Sequence, residues 1–260
     1  MISLGKLRLS VQLLAIVILN LGFTQSFKTG ALCPAFFCYG CPWAAFACPI
    51  GALQSFTAAG LFPFYAAGTL GVFSLTLGRT WCGWVCPFGT VQDLVSRIRQ
   101  RGDLVKLPRL PLTKYLSLAA ILVAAWLTAE TFFCKLCPAG SLFAALPHRF
   151  VSSELDFGTF FYVHIATLAV AIFLFVLAGR FWCRYLCPLG AIFGFFNPMA
   201  FLKVRIDKHL CTDCGQCLEN CPTAISEVED IGTSSDCIEC GECIRDCPSS
   251  AIHFSTSLRK

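Results

Sequence analysis

Two runs near the end of the chain constrain it more than any other feature. Residues 211–222 read Cys-Thr-Asp-Cys-Gly-Gln-Cys-Leu-Glu-Asn-Cys-Pro, and residues 237–248 read Cys-Ile-Glu-Cys-Gly-Glu-Cys-Ile-Arg-Asp-Cys-Pro. Both are CxxCxxCxxxCP. That spacing presents thiolates to an iron–sulfur cube, with the fourth cysteine of each run crossing to the other cube. The reading is two [4Fe–4S] clusters, one on Cys211, Cys214, Cys217 and Cys247, the other on Cys237, Cys240, Cys243 and Cys221. So small a module has little core, and its clusters should hold it folded.

The other ten of the eighteen cysteines also come in patterns. Arg79-Thr-Trp-Cys-Gly-Trp-Val-Cys-Pro-Phe-Gly89 matches Arg180-Phe-Trp-Cys-Arg-Tyr-Leu-Cys-Pro-Leu-Gly190, a shared RxWCxxxCPxG that marks an internal duplication. Neither pair alone can hold a cube. Brought together at a pseudo-two-fold axis, Cys82, Cys86, Cys183 and Cys187 supply four thiolates. Zinc is the chief rival ligand target, and small buried residues or a disulfide pair are the bland reading, although stable disulfides are rare on a cytoplasmic face. Trp81 and Trp182 could wall off water there. A second match pairs Phe36-Phe-Cys-Tyr-Gly-Cys-Pro42 with Phe132-Phe-Cys-Lys-Leu-Cys-Pro138. It selects Cys38, Cys41, Cys134 and Cys137 as a fourth site, leaving Cys33 and Cys48 over, as a disulfide or as alternative ligands. An alignment on CPxG favours Cys48 over Cys38. A third option groups Cys33, Cys38, Cys41 and Cys48, with Cys134 and Cys137 as a dithiol, and disulfides alone are the bland reading.

Apolar residues make up 56% of the chain and charged ones 13%, too apolar for an ordinary soluble protein. Four stretches, near Val11–Phe27, Phe56–Leu77, Tyr115–Phe133 and Phe160–Ala178, are long enough to cross about 30 Å of hydrocarbon. The expected fold is an all-α membrane domain over residues 1–200, with four transmembrane helices and internal duplication. A small α+β two-cluster ferredoxin domain follows over residues 201–260. Residues 1–208 are net basic and 209–260 net acidic. Lys and Arg concentrate in 79–114 and after the fourth stretch. They predict a multi-pass protein of the inner (cytoplasmic) membrane with both termini cytoplasmic and segments 28–55 and 134–158 outside. No basic patch suggests nucleic acid.

Taken together, the four apolar stretches, the CxxxCP motifs at Cys82/Cys86 and Cys183/Cys187 and the two-cluster tail resemble the NapH/MauN-type membrane polyferredoxin family over nearly the whole chain. The resemblance implies an electron-transfer subunit of a multi-protein redox complex, linked to quinol oxidation and to delivery of electrons to a reductase. Relatives with CxxxCP motifs imply assembly of a metal-containing partner or redox sensing as alternatives. The six further cysteines depart from the simple family pattern.

The leading expectation is therefore electron relay between a cytoplasmic or quinone-pool partner and a redox enzyme, across lipid, with no independent catalytic site. A bilayer-wide gap between the inner and outer sites would need a quinone, a haem or a deeply placed cluster to close it. His164, within the fourth stretch, is a candidate ligand or quinone contact, and Glu130 a candidate proton carrier. His148, His209 and His253 carry no sharper signal.

Overall fold

A computed structural model describes residues 4–23, 29–98, 105, 107, 108, 110–151 and 158–256. Proline after cysteine sets its architecture. Proline lacks the N–H a helix interior needs, disfavours helical geometry in the residue before it, and suits the first helical position. Each Cys-Pro therefore becomes a corner, with the cysteine extended and a helix starting at the proline. Four corners share one backbone: Cys48 (φ −74°, ψ 123°), Cys86 (−64°, 118°), Cys137 (−73°, 117°) and Cys187 (−70°, 114°).

The helices are α1 (Leu4–Leu19), α2 (Pro49–Ala58), α3 (Phe64–Thr76), α4 (Thr80–Trp84), α5 (Pro87–Ser96), α6 (Thr113–Thr128), α7 (Pro138–Gly140), α8 (Leu146–Val151), α9 (Thr159–Ala178), α10 (Phe181–Tyr185) and α11 (Pro188–Phe196). A π-helical turn, Ser141–Ala145, joins α7 to α8. The duplication is visible bond for bond. The N–H groups of Val85 and Cys86 both donate to Trp81 O, and those of Leu186 and Cys187 both donate to Trp182 O.

The expectation of four transmembrane helices is overturned. Among the described residues one helix, α9, with 20 residues, is long and apolar enough to cross a membrane. At about 1.5 Å per residue, the 16 residues each of α1 and α6 fall short of about 30 Å. The stretch Phe56–Leu77 is broken into α2 and α3, the second capped by Pro63. Apolar runs overstate helix length here because chain at their ends is spent on the cysteine corners. Residues 24–27 of the first stretch lie outside the described residues, as do Lys28, Arg99, Arg101, Lys106 and Arg109, whose charges entered the orientation reading. Few residues of α9 are buried, and Phe64, Leu116, Trp126 and Phe173 on α3, α6 and α9 are largely exposed.

After α11 the chain forms β1 (Leu202–Ile206), α12 (Gln216–Glu219), α13 (Glu242–Asp246) and β2 (Ile252–Thr256). The strands pair antiparallel from Leu202↔Thr256 to Ile206↔Ile252, over a core of Val204, Ile231 and Ile252. The two cysteine runs have matching backbones. Gly215 and Gly241 (φ 74° and 78°) both take the left-handed conformation that glycine adopts without steric cost.

This small domain packs tightly on the helical one. A Cβ on Gly83 would lie 2.3 Å from Ile238 O and 3.4 Å from the Cys240 Cα. Asn197 Nδ2 donates to Ser234 O at 3.0 Å, Trp84 Nε1 donates to Glu239 O at 3.0 Å, and the fully buried Lys114 pairs with Asp236. From α1, Arg8 pairs with both Asp93 and Glu242, and Asp93 also takes Arg180 at 2.6 Å. Buried charges of this kind persist only when paired.

Candidate cluster sites

Cys82, Cys86, Cys183 and Cys187 converge where the two RxWCxxxCPxG segments meet, each about 5% exposed. Every pair among the four lies within electrostatic reach. Burial pushes the Cys82 thiol up to about 12, an effect Arg79 opposes. The arginines that open each repeat cross over. Arg79 Nη2 donates to Cys183 O and Arg180 Nη1 to Cys82 O, both at 2.8 Å. Each half thus clamps the cysteine backbone of the other. Gly89 and Gly190 make room, since a Cβ at either would meet the opposite arginine at 2.6 or 3.3 Å. Gln92 Nε2 donates to Cys183 Sγ at 3.1 Å, and the Gly190 N–H donates to Cys187 Sγ at 3.3 Å. The sequence shows Arg79 and Arg180 only as invariant letters of the repeat, and Gln92 carries no signal in one repeat alone.

In the small domain Cys217 interacts with Cys214, Cys211 and Cys247, and Cys243 with Cys240, Cys237 and Cys221. The first group is open, with Cys214 exposed, whereas Cys237 and Cys240 are buried, Cys240 against Gly83. Arg180 lies within electrostatic reach of both Cys183 and Cys240, so the buried group abuts the inner quartet.

The remaining six cysteines divide. Cys48 feels Cys38 and Cys134, and Cys137 feels Cys48 and Cys38. Cys41 is near Cys38 but packs with Phe37 and Ala44, its thiol 3.7 Å from Asn20 Oδ1. Cys33 lies nearest, electrostatically, to Cys86, and burial raises it to about 11. No disulfide joins Cys33 to Cys48, or any other pair of cysteines, among the described residues. Inner and outer cysteines come near one another at Cys33, within electrostatic reach of Cys86. The Phe36 N–H reaches the Cys86 thiol. Its ring lies 5.4 Å from Phe88, 6.2 Å from Trp182 and 6.3 Å from Phe133, one aromatic layer between the two groups. His164 Nδ1 bonds Ser141 Oγ at 2.9 Å, and Glu130 is a surface carboxylate paired with Lys135. His148 holds Gly40 O at 3.0 Å. His209 and His253 are exposed.

The donor sets are all thiolate, the ligand type that an iron–sulfur cluster takes. The buried indole N–H groups of Trp81 and Trp182, beside Cys82 and Cys183, have no protein partner. Two such donors at one site suit the acceptor sulfurs of a cluster.

Comparison with known proteins agrees. A family model described as a 4Fe-4S binding domain matches residues 59–104, 112–150 and 160–208, and a 4Fe-4S dicluster domain matches residues 203–248. The chain is 31% identical to YccM of Escherichia coli (strain K12), named for electron transport, over 59% of this chain and 44% of that protein. It is 29% identical to the ferredoxin-type protein NapH of the same organism, over 51% of this chain and 43% of NapH. It is 32% identical to the methylamine utilization ferredoxin-type protein MauN of Paracoccus denitrificans (strain Pd 1222), over 29% of this chain and 27% of MauN. The chain thus spans less than half the length of these curated relatives. No solved structure matches. Since the first of these models covers more than half of the residues, and covers the duplicated corners themselves, the chain belongs to the 4Fe-4S binding family of NapH- and MauN-type ferredoxin-like proteins.

Proposed function

We propose that the protein is an electron-transfer subunit with three cysteine groups in a row: Cys211, Cys214, Cys217 and Cys247; Cys237, Cys240, Cys243 and Cys221; and Cys82, Cys86, Cys183 and Cys187. [4Fe–4S] clusters bound there would supply the one-electron chemistry, leaving no role for a catalytic acid, base or nucleophile. The observation that carries the reading is the contact at Gly83, which brings the Cys237–Cys243 loop onto the inner quartet. Arg79 and Arg180 hold the two halves of that quartet together, and Trp81, Phe88 and Trp182 pack in the core around it. The exposed end at Cys214 suits exchange with a soluble partner, in keeping with the ferredoxin-type names of the relatives. The exposed apolar residues of α3, α6 and α9 support attachment to lipid and membership of a larger redox complex.

The test is iron analysis and EPR of the anaerobically purified full-length protein. Cys82→Ser and Cys183→Ser should each lose about four iron atoms and keep both signals of the small domain. Unchanged iron in either variant would rule out a shared inner site.

A further inference from the structure

We propose that Cys38, Cys48, Cys134 and Cys137 form a second two-plus-two site for a [4Fe–4S] cluster, with Gln54 as its hydrogen-bond donor and with Cys33 and Cys41 outside it. The proposal extends the reading of the inner quartet, and it rests on an equivalence between the two groups.

The four corners read Cys48-Pro-Ile-Gly-Ala-Leu-Gln54, Cys86-Pro-Phe-Gly-Thr-Val-Gln92, Cys137-Pro-Ala-Gly-Ser-Leu-Phe143 and Cys187-Pro-Leu-Gly-Ala-Ile-Phe193. The first helix bond is the same in each, from the residue four places on to the cysteine carbonyl, at 3.0–3.1 Å. The two corners of the first half end in glutamine and the two of the second half in phenylalanine. Each site therefore combines one glutamine corner with one phenylalanine corner.

The glutamines do the same thing. Gln92, six residues beyond Cys86, reaches across to Cys183 Sγ. Gln54, six residues beyond Cys48, reaches across to Cys134 Sγ at 3.7 Å, while its Oε1 accepts from the Phe133 N–H at 3.2 Å. Gln54 is 0% exposed. A fully buried amide aimed at sulfur suits a thiolate acceptor, because hydrogen bonds to charged groups are the strong ones. Cys134 thus stands to Gln54 as Cys183 stands to Gln92. Cys48 then takes the place of Cys86, and Cys137 that of Cys187.

Only the place of Cys82 remains to be filled. Cys38 fills it from the loop: it lies within electrostatic reach of Cys48, Cys134 and Cys137, and its Sγ lies 3.5 Å from the Cβ position of Gly40, a carbonyl anchor for His148. Phe37 beside it packs on Phe143 at 4.9 Å. The bridge between Leu32 and Ala47 closes this loop. Cys41 is near Cys38, but its thiol is directed to Asn20 Oδ1 at 3.7 Å, and Cys33 lies within electrostatic reach of Cys86.

The experiment compares single variants of the anaerobically purified full-length protein by iron, sulfide and zinc content and by EPR. Cys48→Ser and Cys134→Ser should each lose about four iron atoms while the inner and small-domain signals persist. Cys41→Ser and Cys33→Ser should keep all the iron. Iron retained by Cys48→Ser, iron lost by Cys41→Ser, or one zinc per chain would each overturn the proposal. Cys82→Ser removes a different signal, so failure of the inner reading is seen separately. Gln54→Leu guards against simple misfolding. It should retain full iron and lower the reduction potential of one signal alone, because removing a donor to sulfur disfavours the more negative reduced form. Full iron with no shift would count against the site.

Discussion

The inner and outer cysteine groups are built from the same corner and differ in what surrounds it. Inside, all four thiols are about 5% exposed, two buried arginines grip the cysteine carbonyls, and the small domain covers the site. Outside, Cys134 is exposed, Cys38, Cys48 and Cys137 are only half-buried, and Gln54 stands without an arginine pair. Cluster potentials follow net charge, hydrogen bonds to sulfur and solvent exposure. A repeated backbone motif can therefore present two different electrostatic environments, set by residues outside the motif.

The largest expected break between the two is Asp93→Ala. Asp93 neutralises Arg8 and Arg180, all three nearly inaccessible. Losing one partner of a buried ion pair costs about 3–5 kcal/mol. The unfolding free energy from denaturant melts should fall by that amount, with inner iron lost before outer iron. The pH dependence has a definite sign. Burial opposes ionisation, but Arg180 and Arg8 outweigh it and hold the Asp93 carboxyl well below the usual carboxylate range. Its stabilisation is therefore complete above about pH 4, near the unfolded carboxylate value. It is lost as pH falls from there toward the folded value. Acid titration of stability should show this loss in the wild type and not in Asp93→Asn.

Gly83→Val comes next. Its side chain would collide with Ile238 O, an overpacking of about 1–3 kcal/mol. Faster hydrogen exchange across 235–240 should report the opened interface, with the outer signal unchanged. Arg79→Met and Arg180→Met should lower the inner reduction potential in an EPR-monitored titration and leave the outer one in place. The smallest effect separates the glutamines. Gln92 sits 3.1 Å from its sulfur and Gln54 3.7 Å. Gln92→Leu should therefore shift its signal more than Gln54→Leu, each by a fraction of the roughly 1.5–3 kcal/mol of a charge-assisted hydrogen bond.

The duplication and the Cys-Pro corners were legible in the sequence because both are local, since proline acts on its own neighbours. For the outer group the letters alone divide: matching Phe36-Phe-Cys to Phe132-Phe-Cys selects Cys38 and Cys41, whereas CPxG favours Cys48 over Cys38. The group proposed above takes Cys38 from the first match and Cys48 from the second, a combination that a linear alignment does not offer because Cys38 sits in a loop and Cys48 at a helix start. The length of an apolar run also misled, since hydropathy does not register where α2 stops and α3 starts.

Cysteine spacing by itself determined that this is a thiolate-rich iron–sulfur chain with a repeated half. Neighbours three or four residues apart are held within reach of one another by the backbone alone. Which thiols meet across the molecule was decided only by the tertiary structure. So were the partners of Arg79 and Arg180, and the closeness of inner to outer cysteines through Phe36. Those contacts join residues roughly fifty to a hundred positions apart. They exist because packing two halves and a small domain into one core forces each buried charge to find its partners on another part of the chain.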